Sequence, residues 1–127
     1  MQSNAVGWFE VPVTDMERAI KFYETVLDIK LDRNQMGPLD MAWFPMIDES
    51  YGSAGSLICH PGFQKPSAEG VVIYFTARSG DLNNELSRVE ETGGKVLQPK
   101  TKISDEYGFM ALIIDSEGNR VALHSKG

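Results

Sequence analysis

The chain has almost no cysteine and no excess of basic residues. A single cysteine, Cys59, excludes an intramolecular disulfide framework and favours a reducing compartment. Twelve basic residues against eighteen acidic ones give a formal net charge of -6 at pH 7. The basic surface that nucleic acids and anionic membranes require is therefore missing. We expect neither nucleic acid nor a membrane among the partners of this chain.

Long hydrophobic runs and a targeting sequence are also missing. The first residues, MQSNAVGW, contain neither a basic start nor an apolar stretch. No apolar run approaches the ~20 residues of a membrane span. These absences predict a cytoplasmic protein. With 127 residues, 42% of them hydrophobic, and no linker, the chain should form a single domain over 1–127.

A strand followed by a helix is the first pattern that the chain does contain. Phe9, Val11 and Val13 recur at every second position, the period of a strand with one face in the core. The apolar stripe of an amphipathic helix follows and should end near Asp28. Thr14, with Glu17 three residues later, predicts a capping box at the start of this helix.

The same pattern returns about half a chain later. A strand is predicted over 71–76, with Asp81 as the N-cap of a second helix that Gly93 and Gly94 end. Further strands are predicted over 29–33, 41–47 and 56–60, then over 95–98, 109–115 and 120–124. Segment 101–107 favours a surface loop, with a lid as the alternative.

These elements predict an α+β fold built from two βαβββ modules, one over about 5–62 and the other over about 69–125. The ends of the modules correspond at a fixed offset, with GSLICH at 55–60 over NRVALH at 119–124. Val121 and Leu123 should face the helices, and so should Val11. The opposite, concave faces of a curved mixed sheet should then line a cavity formed by Trp8, Glu10, Ile58, His60, Val71, Ile73, Ala122 and His124.

Two stretches of sequence resemble a known family. VPVTDMERAIKFYETVL near the start and IIDSEGNRVALHS at the end are similar to motifs of the glyoxalase/bleomycin-resistance proteins of the vicinal oxygen chelate superfamily. The resemblance implies a glyoxalase-like fold and a homodimer. It also implies one of several functions, namely metal-dependent isomerase, extradiol dioxygenase, epoxide-opening thiol transferase or metal-free antibiotic sequestration. Fold alone does not choose among them.

The positions that hold a divalent metal in this family carry no metal ligand here. The resemblance places these positions at Trp8, Ile58, Val71 and Ala122, and none of those side chains can coordinate a metal. We therefore expect no cofactor. The alternative is a relocated site for one divalent metal ion, with Glu10, His60 and His124 as ligands. His60 precedes Pro61 and Gly62, so it could equally be a turn residue.

Glu10 is the one candidate for a catalytic residue, although the sequence assigns none. A carboxylate between Phe9 and Val11 is unlikely to be buried alone, so it should either face a wet pocket or pair with a cation such as Arg120. In a pocket it could bind a cationic or hydroxyl group, or act as a general base. Trp8 should line the cavity. An aromatic wall or plain core packing would explain the other aromatic residues, Trp43, Phe44, Tyr74 and Phe75.

These residues predict a protein that binds a small, neutral or cationic organic molecule without the usual metal. The alternative is a divalent-metal-dependent lyase or dioxygenase that uses Glu10, His60 and His124. A third interpretation is a vestigial cavity in an oligomeric interaction module. Measuring the metal content separates the second from the first, and ligand-induced stabilisation separates the first from the third.

Overall fold

A computed structural model describes residues 4–60, 62 and 64–127, so the turn expected at Pro61 lies partly outside the described residues. It confirms the predicted α+β fold of two βαβββ units. The elements in chain order are β1 (Phe9–Pro12), α1 (Met16–Leu27), β2 (Asp32–Met36), β3 (Leu39–Trp43), β4 (Gly55–Cys59), β5 (Tyr74–Thr76), α2 (Leu82–Leu86), a 3-10 turn (Glu90–Thr92), β6 (Lys95–Ser104), β7 (Gly108–Ile114) and β8 (Arg120–Ser125).

The strands form two separate four-stranded mixed sheets. The first has the order β1-β4-β3-β2 and the second the order β5-β8-β7-β6. In both, the first strand of the unit runs parallel to the last one, while the remaining neighbours are antiparallel. The parallel pair needs a crossover, which α1 supplies in the first unit and α2 with the 3-10 turn in the second.

Helix α1 is long and strongly amphipathic. Its N-cap is Asp15, whose Oδ1 accepts a hydrogen bond from the Arg18 amide at 3.1 Å. The expected capping box of Thr14 and Glu17 is therefore wrong by one residue. The helix ends where predicted, at Asp28, which adopts a left-handed conformation with φ of 55°. Six residues of α1 are buried: Met16, Ala19, Phe22, Tyr23, Val26 and Leu27.

The second helical segment is shorter than the sequence predicted. Asp81 caps α2 as expected, because its side chain accepts from the Asn83 amide at 3.0 Å, but the helix lasts only to Leu86. A 3-10 turn then leads to Gly93, at φ of 97°. In the described part of the chain, 4–60, 62 and 64–127, no helix has both the length and the apolar character needed to cross a bilayer.

One core joins the two sheets. Buried residues of α1, such as Phe22 and Val26, share a single hydrophobic cluster with Leu82, Val89 and Val121 of the second unit. Aromatic rings cross the junction, where the Phe9 and Phe75 centroids lie 5.7 Å apart and those of Tyr23 and Phe75 lie 5.4 Å apart. Phe44 and Phe75 thus belong to the core and not to an aromatic wall.

Two strand boundaries differ from the prediction in ways that matter for function. The strand expected over 71–76 is confined to Tyr74–Thr76, so Val71 precedes it. The strand expected over 95–98 continues to Ser104, through an irregular pairing with β7. Segment 101–107 is therefore half strand and half tight turn. Neither the loop nor the lid expected there describes it.

Candidate functional site

The strand register brings several of the predicted site residues to one face of the first sheet. Glu10 lies opposite Ser56, and Ser56 lies opposite Trp43. Their neighbours Val11 and Leu57 are in the core, so these side chains occupy the other side of the sheet. We call the surface formed by Trp8, Glu10, Trp43, Ser56 and Ile58 the Trp8 face.

Two tryptophans cover part of the Trp8 face. The rings of Trp8 and Trp43 meet edge to face, with centroids 5.5 Å apart and planes at 74°. Trp8 is 39% exposed, while Ile58 beside the pair is buried. Aromatic surface that is partly open to solvent can stack on a flat ligand. The sequence predicted that Trp8 lines a cavity, and this stays a prediction.

Polar atoms beneath the tryptophans have unused hydrogen-bonding capacity. The indole Nε1 of Trp43 and the hydroxyl Oγ of Ser56 are buried, and neither has a partner among the described residues. A buried polar group without a partner costs about 1–3 kcal/mol. The indole nitrogen can only donate, whereas a hydroxyl can donate or accept. A ligand acceptor that reached this position would recover part of that cost.

Glu10 belongs to the Trp8 face, on the side of the sheet away from the core. Its Oε1 accepts a hydrogen bond from Gln64 Nε2 at 3.3 Å. Among the described residues, it forms no ion pair with Arg120, which the sequence had offered as one of two explanations for this carboxylate. The other explanation, a solvent-accessible pocket, agrees with its exposure.

The second sheet presents different residues from those expected. Tyr74 lies opposite Ala122, and Thr76 opposite His124, on the side away from the core. Ile73 packs against the core cluster, and Val71 is 91% exposed ahead of β5. The predicted placement of Val71 and Ile73 on this face is therefore wrong, because the start of the strand was misplaced and the alternation shifted by one residue.

The relocated metal site does not assemble within one chain. No group of three or more histidine, cysteine, aspartate or glutamate side chains that could hold a metal ion occurs among residues 4–60, 62 and 64–127. His124 Nε2 lies 2.6 Å from the carbonyl oxygen of Tyr107. Since a carbonyl only accepts, this nitrogen carries the proton and offers no lone pair to a metal. Glu10, His60 and His124 thus remain apart.

The four positions at which the resemblance implies a divalent ion carry no side chain that suits one. Trp8, Ile58, Val71 and Ala122 contribute an indole and three aliphatic side chains. Divalent ions in proteins are bound by imidazole, thiolate, carboxylate or carbonyl donors, and these four side chains supply none of them.

A polar network that the sequence reasoning missed holds the two units together. Asp115 is buried, and its Oδ2 accepts hydrogen bonds from the Tyr23 hydroxyl at 2.6 Å and from Asn119 Nδ2 at 3.0 Å. Its Oδ1 accepts from the amides of Glu117 and Asn119. Burial, followed by the nearby Asp115 charge, raises the pKa of Tyr23 well above its usual value, so this hydroxyl remains a donor.

Glu117 extends this network to the start of α1. Its fully buried side chain accepts hydrogen bonds from the Thr14 and Asp15 amides, both at 2.9 Å, and from Arg18 Nε at 2.7 Å. Burial opposes ionisation of Glu117, but these hydrogen bonds outweigh it and lower its pKa to about 2. Asp115 and Glu117 of the DSEGN turn were visible in the sequence, but their partners, about a hundred residues away, were not.

A cavity of about 580 Å³ includes Thr14 and Glu117 of this network and the predicted site residue His60. Two others lie near the ends of the first unit. The larger, of about 870 Å³, lies between the C-terminal end of α1 and loop 45–54, and it includes Arg78 and none of the predicted site residues. The smaller, of about 200 Å³, lies where the two units meet and brings together Glu10, Val71 and Ile73 with Arg120. Three of the eight predicted cavity residues are thus gathered at one place, although not on the expected sheet face.

Comparisons with known proteins agree with this architecture. The Glyoxalase/Bleomycin resistance protein/Dioxygenase superfamily matches residues 5–123. TnmS3, an antibiotic binding protein from Streptomyces sp. CB03234, is 21% identical and has a TM-score of 0.71, with 100% of this chain and 99% of that chain covered. A glyoxalase/bleomycin resistance protein from Albidiferax ferrireducens T118 is 17% identical with a TM-score of 0.69, over 98% and 100% of the two chains.

Glyoxalase I from Zea mays is similar over a shorter part of its length. Its V278E mutant is 22% identical with a TM-score of 0.72, and the match covers 94% of this chain but only 45% of the maize chain. This chain therefore spans about half the length of the maize enzyme. No curated protein sequence matches the chain. Because the superfamily match covers nearly all of the chain, the protein belongs to the Glyoxalase/Bleomycin resistance protein/Dioxygenase superfamily.

Proposed function

We propose that this protein binds a small, flat organic molecule on the Trp8 face without a metal ion. The observation that carries the proposal is the combination of the Trp8 and Trp43 rings with two buried hydrogen-bonding atoms that have no partner among the described residues. Apolar walls with a few convergent polar groups are typical of ligand sites. The rings supply contact area, and the polar atoms select the orientation of the ligand.

The charge of the ligand follows from its surroundings. Glu10 lies beside Ser56 on the Trp8 face, and the chain carries a net charge of -6. A carboxylate next to an aromatic surface attracts a cation and repels an anion. We therefore propose a neutral or cationic ligand that has an acceptor for Trp43 Nε1.

Metal independence rests on the donor set. Within residues 4–60, 62 and 64–127, neither the positions that the resemblance implies nor the group of Glu10, His60 and His124 forms a suitable set of ligands. Lyase and dioxygenase chemistry of the metal-dependent kind therefore has no support from the arrangement of these side chains.

In the cell, the proposed function is to sequester or deliver the bound molecule. TnmS3 is named as an antibiotic binding protein, and its chain matches this one over nearly the full length of both. We extend small-molecule binding from that relative to this chain. The proposal also includes a cytoplasmic location and a homodimer. Light scattering coupled to size-exclusion chromatography tests the dimer, because it separates about 28 kDa from the 14.1 kDa of one chain.

A panel of three matched planar compounds tests the binding proposal. 9-Aminoacridine is cationic at neutral pH, acridine is neutral and acridine-9-carboxylate is anionic. We expect the first two to quench tryptophan fluorescence and raise the melting temperature, and the third to do so more weakly. Trp8→Ala should weaken binding about five- to tenfold, which corresponds to the ~1–1.5 kcal/mol of one aromatic contact. Tyr51→Ala is the control, because Tyr51 is fully exposed on loop 45–54.

Two results would contradict the proposal. If none of the three compounds binds at millimolar concentration, the Trp8 face is not a site for flat ligands, and an interaction module becomes the better explanation. The second result concerns metal content. We expect elemental analysis of untagged protein, after incubation with Fe(II), Zn(II), Ni(II) or Mn(II), to find far less than one ion per chain. One tightly bound ion that is lost in Glu10→Ala would instead support the lyase or dioxygenase alternative.

A further inference from the structure

The cavity of about 200 Å³ lies at the junction of the two units, outside the Trp8 face except for the Glu10 that borders both. It is lined by the end of β1, the start of β8 and the segment that links the two units. The residues that matter for its chemistry are Glu10, Lys65, Val71, Ile73, Asn119 and Arg120. Its volume has room for about six water molecules or one small organic molecule.

Hydrogen bonds hold the walls of this junction cavity in place. Asn119 Nδ2 donates to the carbonyl oxygen of Pro12 at 2.8 Å, and Asn119 Oδ1 accepts from the Ser67 amide at 3.1 Å. Arg120 Nη2 donates to the carbonyl oxygen of Gly70 at 2.8 Å, which fixes the plane of the guanidinium group. The cavity is therefore framed by the turn that joins the two units and by the linking segment that Asn119 and Arg120 hold in place.

Three charged side chains surround the junction cavity, and they leave one another unpaired. Among the described residues, Glu10, Lys65 and Arg120 take part in none of the ion pairs. Arg120 Nε is also buried without a hydrogen-bond partner in that part of the chain. A guanidinium group has five donors in a planar fork that matches a carboxylate. Acidic and basic residues thus line one cavity without forming an ion pair among the described residues.

We infer that the junction cavity binds a small zwitterion such as an aliphatic α-amino acid. The carboxylate of the ligand pairs with Arg120 and Lys65, and its ammonium group pairs with Glu10. A simple anion would be repelled by Glu10, and a simple cation by Arg120 and Lys65, so only a molecule with both charges suits both sides. A sphere of this volume is about 7 Å across, which is wide enough for the charged groups and a short side chain of an α-amino acid.

The apolar part of the lining sets the side chain of the ligand. The side chain of Val71 is 91% exposed to solvent, whereas Ile73, two residues later, packs against the core. A short aliphatic side chain would cover Val71 and remove it from water. The inference does not rest on the proposed ligand of the Trp8 face, because the two sites share only Glu10 and take different classes of ligand.

Isothermal titration of the full chain with three matched compounds tests the inference. L-Valine carries both charges, 3-methylbutanoate lacks the ammonium group and 2-methylpropylamine lacks the carboxylate. We expect one saturable site per chain for valine, with each of the other two compounds at least about tenfold weaker. Equal binding of valine and 3-methylbutanoate, or no saturable heat for valine at millimolar concentration, would overturn the inference.

Two variants locate the binding. Arg120→Gln should weaken valine at least about tenfold, whereas Arg33→Gln, which removes an exposed ion pair with Asp40 on the first sheet, should leave it unchanged. Glu10→Gln should weaken valine and strengthen 3-methylbutanoate, a reversal that a folding defect cannot produce. Valine binding that both Arg120→Gln and Glu10→Gln retain would place the ligand elsewhere. Quenching by neutral acridine in the same samples shows separately whether the Trp8 face is intact, because it does not depend on the charge of Glu10.

Discussion

The two units connect their last two strands in very different ways. In the second unit, the Asp115 amide donates to the Asn119 carbonyl oxygen at 2.9 Å and closes a tight turn whose acidic side chains are buried. In the first unit, the equivalent bond joins the Phe44 amide to the Gly55 carbonyl oxygen, also at 2.9 Å, but it closes a long loop. The tip of that loop, at Tyr51, is fully exposed.

The difference shows how a duplicated connection can take on two functions. The second turn holds the units together through Tyr23, Thr14 and Arg18 of the first. Among the described residues, the first loop forms no corresponding hydrogen bonds with the second unit, and it borders the cavity of about 870 Å³ together with Thr76 and Arg78. Substitutions in the turn should therefore affect stability, and matched substitutions in the loop should not.

Removal of Asp115 should have the largest effect. Asp115→Ala leaves the Tyr23 hydroxyl, the Asn119 side chain and two backbone amides without their acceptor in a buried site. We expect the free energy of unfolding to fall by about 3–5 kcal/mol. Urea denaturation followed by circular dichroism measures it. Asp48→Ala in the exposed loop is the control and should change stability by less than about 0.5 kcal/mol. Similar losses in both variants would contradict the comparison.

A methyl group at Gly94 should have the next largest effect. A Cβ atom there would lie 2.6 Å from the Ile114 carbonyl oxygen and 2.6 Å from the Phe22 ring, where α1 meets the second unit. Gly94→Ala should therefore cost about 1–3 kcal/mol, because backbone and core atoms have to move. At Gly7, beside the open cavity, a Cβ meets nothing within 4 Å. Gly7→Ala should leave the urea midpoint nearly unchanged, and an equal shift in the two variants would argue against close packing at the junction.

Loss of the Glu117 charge should have the smallest effect and a distinct pH dependence. Glu117→Gln should lower stability by about 1–2 kcal/mol at pH 7, because charge-assisted hydrogen bonds from Arg18 and two amides are weakened. Since the pKa of Glu117 is lowered to about 2 in the folded chain, the ionised form is the one that folding favours. Its contribution is complete above about pH 4.5 and is lost as the pH falls towards about 2.

The measurement is the difference in unfolding free energy between wild type and Glu117→Gln at a series of pH values. That difference should shrink steadily from pH 5 to pH 2, whereas Glu91→Gln, at an exposed glutamate, should show almost no difference at any pH. A constant gap for Glu117→Gln would mean that shape and not charge matters at this position.

The sequence was sufficient for the fold because its periodic signals were long. The alternation around Val11 and the apolar stripe of α1 each extend over a whole element, and the cap at Asp81 marks the start of α2. The cap of α1 was misassigned to Thr14 because two neighbouring residues can both cap a helix. In the structure, Asp15 accepts from the Arg18 amide while the Thr14 hydroxyl donates to Glu117.

The candidate site was harder to predict because it depends on register. Trp8 and Glu10 were assigned to their side of the sheet from alternation, since Val11 had a clear direction, and Ile58 was assigned through its correspondence with Ala122 in the repeat. Val71 and Ile73 were not, because β5 has only three residues and an irregular segment precedes it. Ser56 drew no attention, although it alternates with buried Leu57, since only the pairing with Trp43 and Glu10 gives it a role.

The position of Glu117 in the chain has a consequence for protein synthesis. The ribosome releases the first unit long before the second, yet the amides of Thr14 and Asp15 at the start of α1 find their acceptor on a residue 103 and 102 positions later. Asp115, the partner of Tyr23, emerges 92 residues after it. A nascent first unit therefore exposes part of the shared core and carries unsatisfied donors until translation is almost complete. The order of synthesis and the order of consolidation are thus opposed in this protein, and chaperones would meet the first unit before the turn that completes it exists.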